Sequence, residues 1–187
     1  MHVDEGPFEQ IVDAHYENLF RFAYSLARNE CDASDLTQQT FYRWASKGHQ
    51  LRDRGKVKTW LHTTLYREFL GNRRRAGRFS DEPIDATSPD LPTVEPRIAE
   101  QLDADLVREA LLEVDELYRA PLMLFYLDDL SYQEIAKTLD IPPGTVMSRL
   151  SRGKAALRRC LAKRITRTEG DLSDRIAQPE FRRKISS

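Results

Sequence analysis

Two groups of residues have the type and spacing to do chemistry, and for both it is the chemistry of holding nucleic acid. The first is a run of arginines, Arg73, Arg74, Arg75 and Arg78, preceded by Trp60, His62, Thr63, Tyr66 and Arg67. Guanidinium groups grip phosphate with paired hydrogen bonds. An aromatic ring set among cationic side chains suits an unstacked base, because the ring stacks on any base while the cations hold the backbone. The second group lies in SYQEIAKTLDIPPGTVMSRLSRGKAALRRCL, Ser131 to Leu161, which reads as two short helices around a tight turn, the second rich in Arg and Lys.

Local signals place the elements of that second group. Ser131 and Glu134 form the S-x-x-E capping box, with Leu130 and Ile135 at the staple positions around it. Asp140-Ile141-Pro142-Pro143-Gly144 ends one helix and starts the next, with proline near the new N-terminus. Val146, Leu150 and Leu157 are expected to face inward, and Ser148, Arg149, Ser151 and Arg152 to face elsewhere. A second helix that presents such residues from its N-terminal half suits the major groove. There Thr145, Ser148, Arg149 and Arg152 would meet base edges, an Arg–guanine pair being worth about 1–3 kcal/mol of discrimination. Lys154, Arg158 and Arg159 are further along and would meet phosphate. The bland alternative is a helical hairpin with a solvated basic face.

The bulk numbers exclude several classes. No apolar run in the 187 residues approaches a membrane span. The N-terminus MHVDEGPFEQ lacks the apolar stretch of a secretory signal, so a cytoplasmic location is expected. Cys31 and Cys160 show no metal or redox spacing. His2, His15, His49 and His62 do not form a metal set. There is no phosphate-binding glycine loop and no nucleophile elbow. Neither an enzyme nor a cofactor is expected. The net charge of −1 conceals strong segregation. Residues 1–40 hold eight acids against two arginines, residues 52–78 nine bases against two acids, and residues 79–105 eight acids against one arginine. Such blocks imply separate surfaces for separate partners.

The elements that must position these residues are helical. Apolar residues at 8, 12, 16, 19, 23 and 26 predict a first helix. A second starts at CDASDLTQQTFYRWAS, with Asp32 as expected N-cap, Asp35 in the first turn and Cys31 with Leu36 as a staple. A third runs through VKTWLHTTLYREFL, with Val57, Trp60, Leu61, Thr64, Leu65 and Phe69 on its inner face. SDEPIDATSPDLPTVEP, with four prolines and five acids, reads as an extended tether. Helical patterning returns from about Arg97, through Leu102, Leu106 and Leu111. The expected architecture is all-α: two small helical domains, 1–79 and 100–165, joined by an acidic Pro-rich linker at 80–99, with a C-terminal extension at 166–187 of unassigned role.

The order DASDLTQQTF, TWLHTTLYREF, an arginine cluster, a linker and LSYQEIAKTLDIPPGTVMSRLSRGKAAL resembles bacterial sigma factors of the extracytoplasmic-function (ECF) type. DASDLTQQTF resembles the D-A-E-D-L-x-Q-E-T-F signature of that family. The resemblance implies that Asp32, Asp35 and Gln38 dock on core RNA polymerase. It implies that Trp60, His62, Thr63, Tyr66, Arg67 and the arginine cluster open the minus-ten promoter element, with Trp60 weighed more heavily as core than as a base-stacking ring. The helix-turn-helix would read the minus-thirty-five element. An anti-sigma factor is the implied keeper. A stand-alone regulator using only the helix-turn-helix, or a pure protein-interaction module, would not need a basic segment beside the docking helix.

Two positions depart from the signature. Ser34 and Gln39 stand where the family carries Glu, so the docking face has lost two carboxylates. Phosphorylation of Ser34, Thr37, Thr40, Thr63 or Thr64 by a Ser/Thr kinase would restore charge, about −1.5 to −2 per phosphate. Met147 replaces a frequently basic position of the recognition helix. If the missing charge matters, Ser34→Glu with Gln39→Glu binds core polymerase more tightly than the unmodified protein in a titration; equal affinity removes the need for a charge-restoring switch.

Overall fold

Helix α1, Pro7–Ala27, buries Leu19, Phe22, Ala23 and Leu26 along one stripe, as helical spacing requires. The computed structural model describes residues 7–77 and 104–177. The tether at 80–99, Arg78 and Leu102 lie outside them.

Arg28 adopts the left-handed conformation, φ 61°, and turns the chain out of α1. Asn29 is then extended and caps helix α2, Glu30–Lys47, its side chain accepting from the Asp32 N–H at 2.8 Å. Its Nδ2 donates in return to Asp32 Oδ2 at 2.8 Å. The cap therefore belongs to Asn29, and Asp32 is the third residue of the helix. The expected pairing of Cys31 with Leu36 does not form: Cys31 is exposed and Leu36 buried. The cause is the turn at Arg28, which sets the helix start earlier than the sequence suggests.

Two 3-10 turns, Gly48–Gln50 and Arg54–Lys56, lead to α3, Val57–Arg75. Val57, Leu61, Leu65 and Phe69 fill the core against α1 and α2. Trp60 is half-buried and meets Trp44 edge-on, with ring centroids 5.2 Å apart.

The second unit consists of α4 (Ala104–Glu113), α5 (Glu116–Tyr126), α6 (Tyr132–Leu139) and α7 (Pro143–Ala177). Arg119 is only 1% exposed and donates to the carbonyls of Leu112 and Val114 at 3.0 and 2.7 Å. It thereby satisfies acceptors left open where α4 ends. The Ser131–Glu134 capping box is present on both sides, and Leu130 and Ile135 are buried beneath it. Asp140 takes the left-handed conformation that ends α6, and the Ile141 N–H donates to the Ala136 carbonyl at 3.0 Å. Helix α7 begins at Pro143, where a missing N–H costs nothing. It continues without a break to Ala177, so residues 166–177 extend the recognition helix. The described residues contain no strand.

Gly153 of α7 lies against α5 so closely that a Cβ there would sit 2.9 Å from Leu122 Cδ1 and 3.2 Å from the Tyr118 carbonyl oxygen. Gly71, by contrast, has nothing within 4 Å of the same position. Gly153→Ala is expected to cost about 1–3 kcal/mol through overpacking against a backbone that cannot yield. Gly71→Ala is expected to be neutral or to stabilise by up to about 1 kcal/mol through helix propensity. Urea unfolding of the two variants checks both.

Candidate nucleic-acid interface

On α2, Asp32, Asp35 and Gln38 are all exposed, so the expected docking residues share an open face. Tyr42, 75% exposed, continues that face. With Arg43, Lys47, Glu68 and Arg75 it lines a shallow groove between α2 and α3, in which Arg43 pairs with Glu68 at 2.7 Å. Sequence reasoning missed this groove because its two walls are over twenty residues apart in the chain.

The hydroxyls of α2 separate cleanly. Thr37 and Thr40 are fully buried, their Oγ1 atoms donating to the Ala33 and Leu36 carbonyls at 2.8 and 2.7 Å. A hydroxyl so held is out of reach of a modifying enzyme in this fold, and the expectation that placed modification there has to be corrected for these two. They lie on the inward stripe of the helix with Ala33, Leu36, Phe41 and Trp44. Ser34 and Thr64 are half-buried.

Helix α3 carries the larger surprise. Arg67, Arg74 and Arg75 are exposed. His62 and Thr63, expected on the outward side, are 1% and 8% exposed. The second unit covers them. Thr59 Oγ1 donates to Glu134 Oε1 at 2.9 Å. Thr63 Oγ1 donates to the Thr59 carbonyl at 2.7 Å and lies 3.2 Å from Thr138 Oγ1. His62 rests on the Phe22 ring, centroids 5.4 Å apart. Its Nδ1 is 2.9 Å from the Lys58 carbonyl oxygen, and its Nε2 is 3.0 Å from Oδ2 of Asp128, itself 1% exposed. The Nε2 contact is not aligned as a hydrogen bond, so the two buried side chains are linked by close approach alone. Further along, Arg73 pairs with Glu116 at 2.6 Å. Burial pushes the Tyr66 phenol above its ordinary range, with Glu116 adding to the effect.

In the helix-turn-helix, Arg149 is 8% exposed and within electrostatic reach of Tyr66 and Tyr118. It does not face outward with Ser148 and Arg152 as the sequence suggested. At about 100° per residue, the outward row of α7 is Gly144, Met147, Ser151, Lys154 and Arg158. Arg149 stands opposite Met147, beside Val146 and Leu150 on the buried side. Thr145, Ser148, Arg152 and Lys154 are half-buried and Arg158 is exposed. Met147, 57% exposed, heads the outward row. Among the described residues no cluster of His, Cys, Asp or Glu could hold a metal, and no helix is long and apolar enough to cross a membrane.

A helix with an open acidic face, a basic helix and a helix-turn-helix in this order agree with the family comparisons. The sigma-70 region 2 family matches residues 11–79, and the sigma-70 region 4 family matches residues 104–157. The chain belongs to the sigma-70 family, in its ECF group. This sigma factor is similar to the ECF RNA polymerase sigma factor SigE of Mycolicibacterium smegmatis, 36% identical over 166 residues that cover 86% of this chain and 64% of that one. It thus spans less than two thirds of SigE's length. It is also similar to SigW of Bacillus subtilis, 26% identical over 170 residues, covering 84% of this chain and 90% of that one. Among solved structures it is similar to the sigma factor RpoE in complex with the anti-sigma factor NepR from Bartonella quintana, with a TM-score of 0.64 and 27% identity over 83% of this chain and 96% of that one. CnrH in complex with the cytosolic domain of CnrY shares the fold, with a TM-score of 0.56 and 22% identity over 83% and 88% of the two chains.

Glu134 serves both units of the sigma factor, closing the α6 capping box and accepting from Thr59. Its hydrogen bonds from the Ser131 side chain and backbone hold its carboxyl below the ordinary 4.5. A depressed folded value means stability that is present above about pH 4.5 and lost as pH falls through the folded value. Unfolding followed by circular dichroism is expected to show that decline on acidification, with a shallower slope in Glu134→Gln.

Proposed function

We propose that this protein binds core RNA polymerase and directs promoter-specific transcription initiation. The observation that carries the reading is the pairing, in one chain, of an open acidic face on α2 with a basic helix and a capped helix-turn-helix, each inside a sigma-70 family match. Asp32, Asp35 and Gln38 form the polymerase contact. Arg67, Arg74 and Arg75, with Arg73, His62, Thr63 and Tyr66 once uncovered, engage the minus-ten element. Their cationic groups hold the backbone while aromatic and imidazole faces receive unstacked bases. No bond is made or broken by the chain. It supplies positioning to the polymerase.

The outward row of α7 sets how the minus-thirty-five element is read. Lys154 and Arg158 lie where they reach phosphate. Met147 leads the row with an apolar side chain, which suits the 5-methyl group of thymine. An anti-sigma factor is the partner implied by the RpoE–NepR likeness. The site of action is the cytoplasm, where polymerase and promoter meet.

Runoff transcription with purified core polymerase tests the function: promoter-specific product requires this chain, and Asp35→Lys abolishes it by removing core binding. A chain that binds double-stranded DNA yet never binds core polymerase would instead be a stand-alone regulator. Replacing the contacted thymine with deoxyuracil is expected to weaken minus-thirty-five binding several-fold, about 1 kcal/mol. Met147→Ala should then no longer distinguish the two bases, as measured by fluorescence anisotropy.

A further inference from the structure

The outward row of α7, which ends above at Lys154 and Arg158, changes character beyond that point. At helical spacing it continues through Leu161, Ile165, Leu172 and Ile176. Leu161 is half-buried and Ile165 is 37% exposed. A different side of α7 holds it in its own unit. Leu157 and Cys160 pack on the core. Arg164, about a quarter turn from Ile165, pairs with Glu109 and Glu113 of α4. The helix therefore carries a second apolar edge past residue 157, where the sigma-70 region 4 match ends. Charge along the same stretch is divided. Residues 158–167 hold five cations, Arg158, Arg159, Lys163, Arg164 and Arg167, and no acid. Residues 168–174 hold three acids, Glu169, Asp171 and Asp174, and no cation.

We infer that the C-terminal half of α7 is a self-association surface, on which a second copy of this chain docks antiparallel, apolar row against apolar row. The order of charge selects both the occupant and its direction. Two such helices laid in the same direction set acid against acid and base against base, and like charges brought level repel. Laid in opposite directions, with Ile165 level with Leu172 of the second copy and Leu161 level with its Ile176, residues 169–174 of one copy come level with residues 163–168 of the other. The three acids then face the basic block, and the apolar row stays in register. A second copy carries the matching pattern by construction, so one patch serves both members of a two-fold pair. Residues 161–176 of a helix span about 24 Å. A helix pair of that length falls at or below the roughly 1,200 Å² at which stable interfaces begin. The pairing is accordingly weak, reversible and dependent on concentration.

Sedimentation equilibrium of the full chain tests this. The weight-average mass is expected to rise with concentration from that of one chain toward that of two. Ile165→Asp puts a charge on the apolar row at an exposed position, and is expected to weaken association about tenfold or more while its circular dichroism matches the unmodified chain. Two charge variants separate pairing from folding. Glu169→Lys with Asp171→Lys and Asp174→Lys makes the stretch basic throughout. Lys163→Glu with Arg167→Glu extends its acidic part. Each alone is expected to sediment as a single chain, and an equimolar mixture of the two is expected to pair, which a damaged fold could not do. The mass of one chain at every concentration of the unmodified protein overturns the inference. So does association that Ile165→Asp leaves unchanged, or a mixture of the charge variants that stays as single chains.

Discussion

The structure depends on α3 being a two-sided helix. Val57, Leu61, Leu65 and Phe69 tie one side into the apolar core with α1 and α2. On the other side Thr59, His62, Thr63 and Arg73 meet the second unit through hydrogen bonds, the Arg73–Glu116 ion pair and the close approach of His62 to Asp128. The two sides differ in how they can be undone. The apolar side is worth roughly 1.5–3 kcal/mol for each large side chain buried and cannot open without unfolding the first unit. Each polar contact exchanges at modest cost, because a hydrogen bond replaced by one to water changes the net free energy by only about 0.5–1.5 kcal/mol, while buried apolar residues of both units share one cluster. A helix built this way keeps its own unit intact while its second partner changes.

The same economy governs the second unit. The capping box at Ser131 and Glu134, the left-handed stop at Asp140 and the buried Arg119 make the helix-turn-helix rigid from within. The close approach of α7 to α5 at Gly153 fixes the angle at which the recognition helix is presented. Glu134 shows how local and distant roles combine. One carboxylate closes the α6 cap with Oε2 and receives Thr59 from across the interface with Oε1. Asp128 and Glu116 lie near the ends of α5, where the chain enters and leaves it, and both meet α3.

How much of this is legible in the sequence depends on the range of the interaction. The capping box, the Asp140 stop and the Pro143 start are read correctly because each involves residues within a few positions of one another. The start of α2 is misread by three residues: Asp32 is a good cap by type, but the left-handed Arg28 makes Asn29 the residue with the right backbone. Arg149 is misplaced because its type suggests DNA while its phase on α7, three residues after Val146, sets it inward. The face of α3 is the deepest case. Thr, His, Tyr and Arg are what a nucleic-acid surface requires and also what a polar interface with carboxylates requires. Their partners, Glu116, Asp128, Glu134 and Thr138, are separated from α3 by forty to seventy-five positions, and nothing local in the sequence couples them.

The central claim is that one face of α3 serves the helix-turn-helix unit in the free chain and the promoter in the initiating complex. The native thiols Cys31, exposed on α2, and Cys160, half-buried on α7, report on it directly. Spin labels on both, read by pulsed dipolar spectroscopy, give the distance between the units before and after addition of core polymerase and promoter DNA. A single narrow distance in the free chain that gives way to a longer one in the complex is the predicted result. A distance that stays unchanged on promoter binding, or one already broad and long in the free chain, would contradict it.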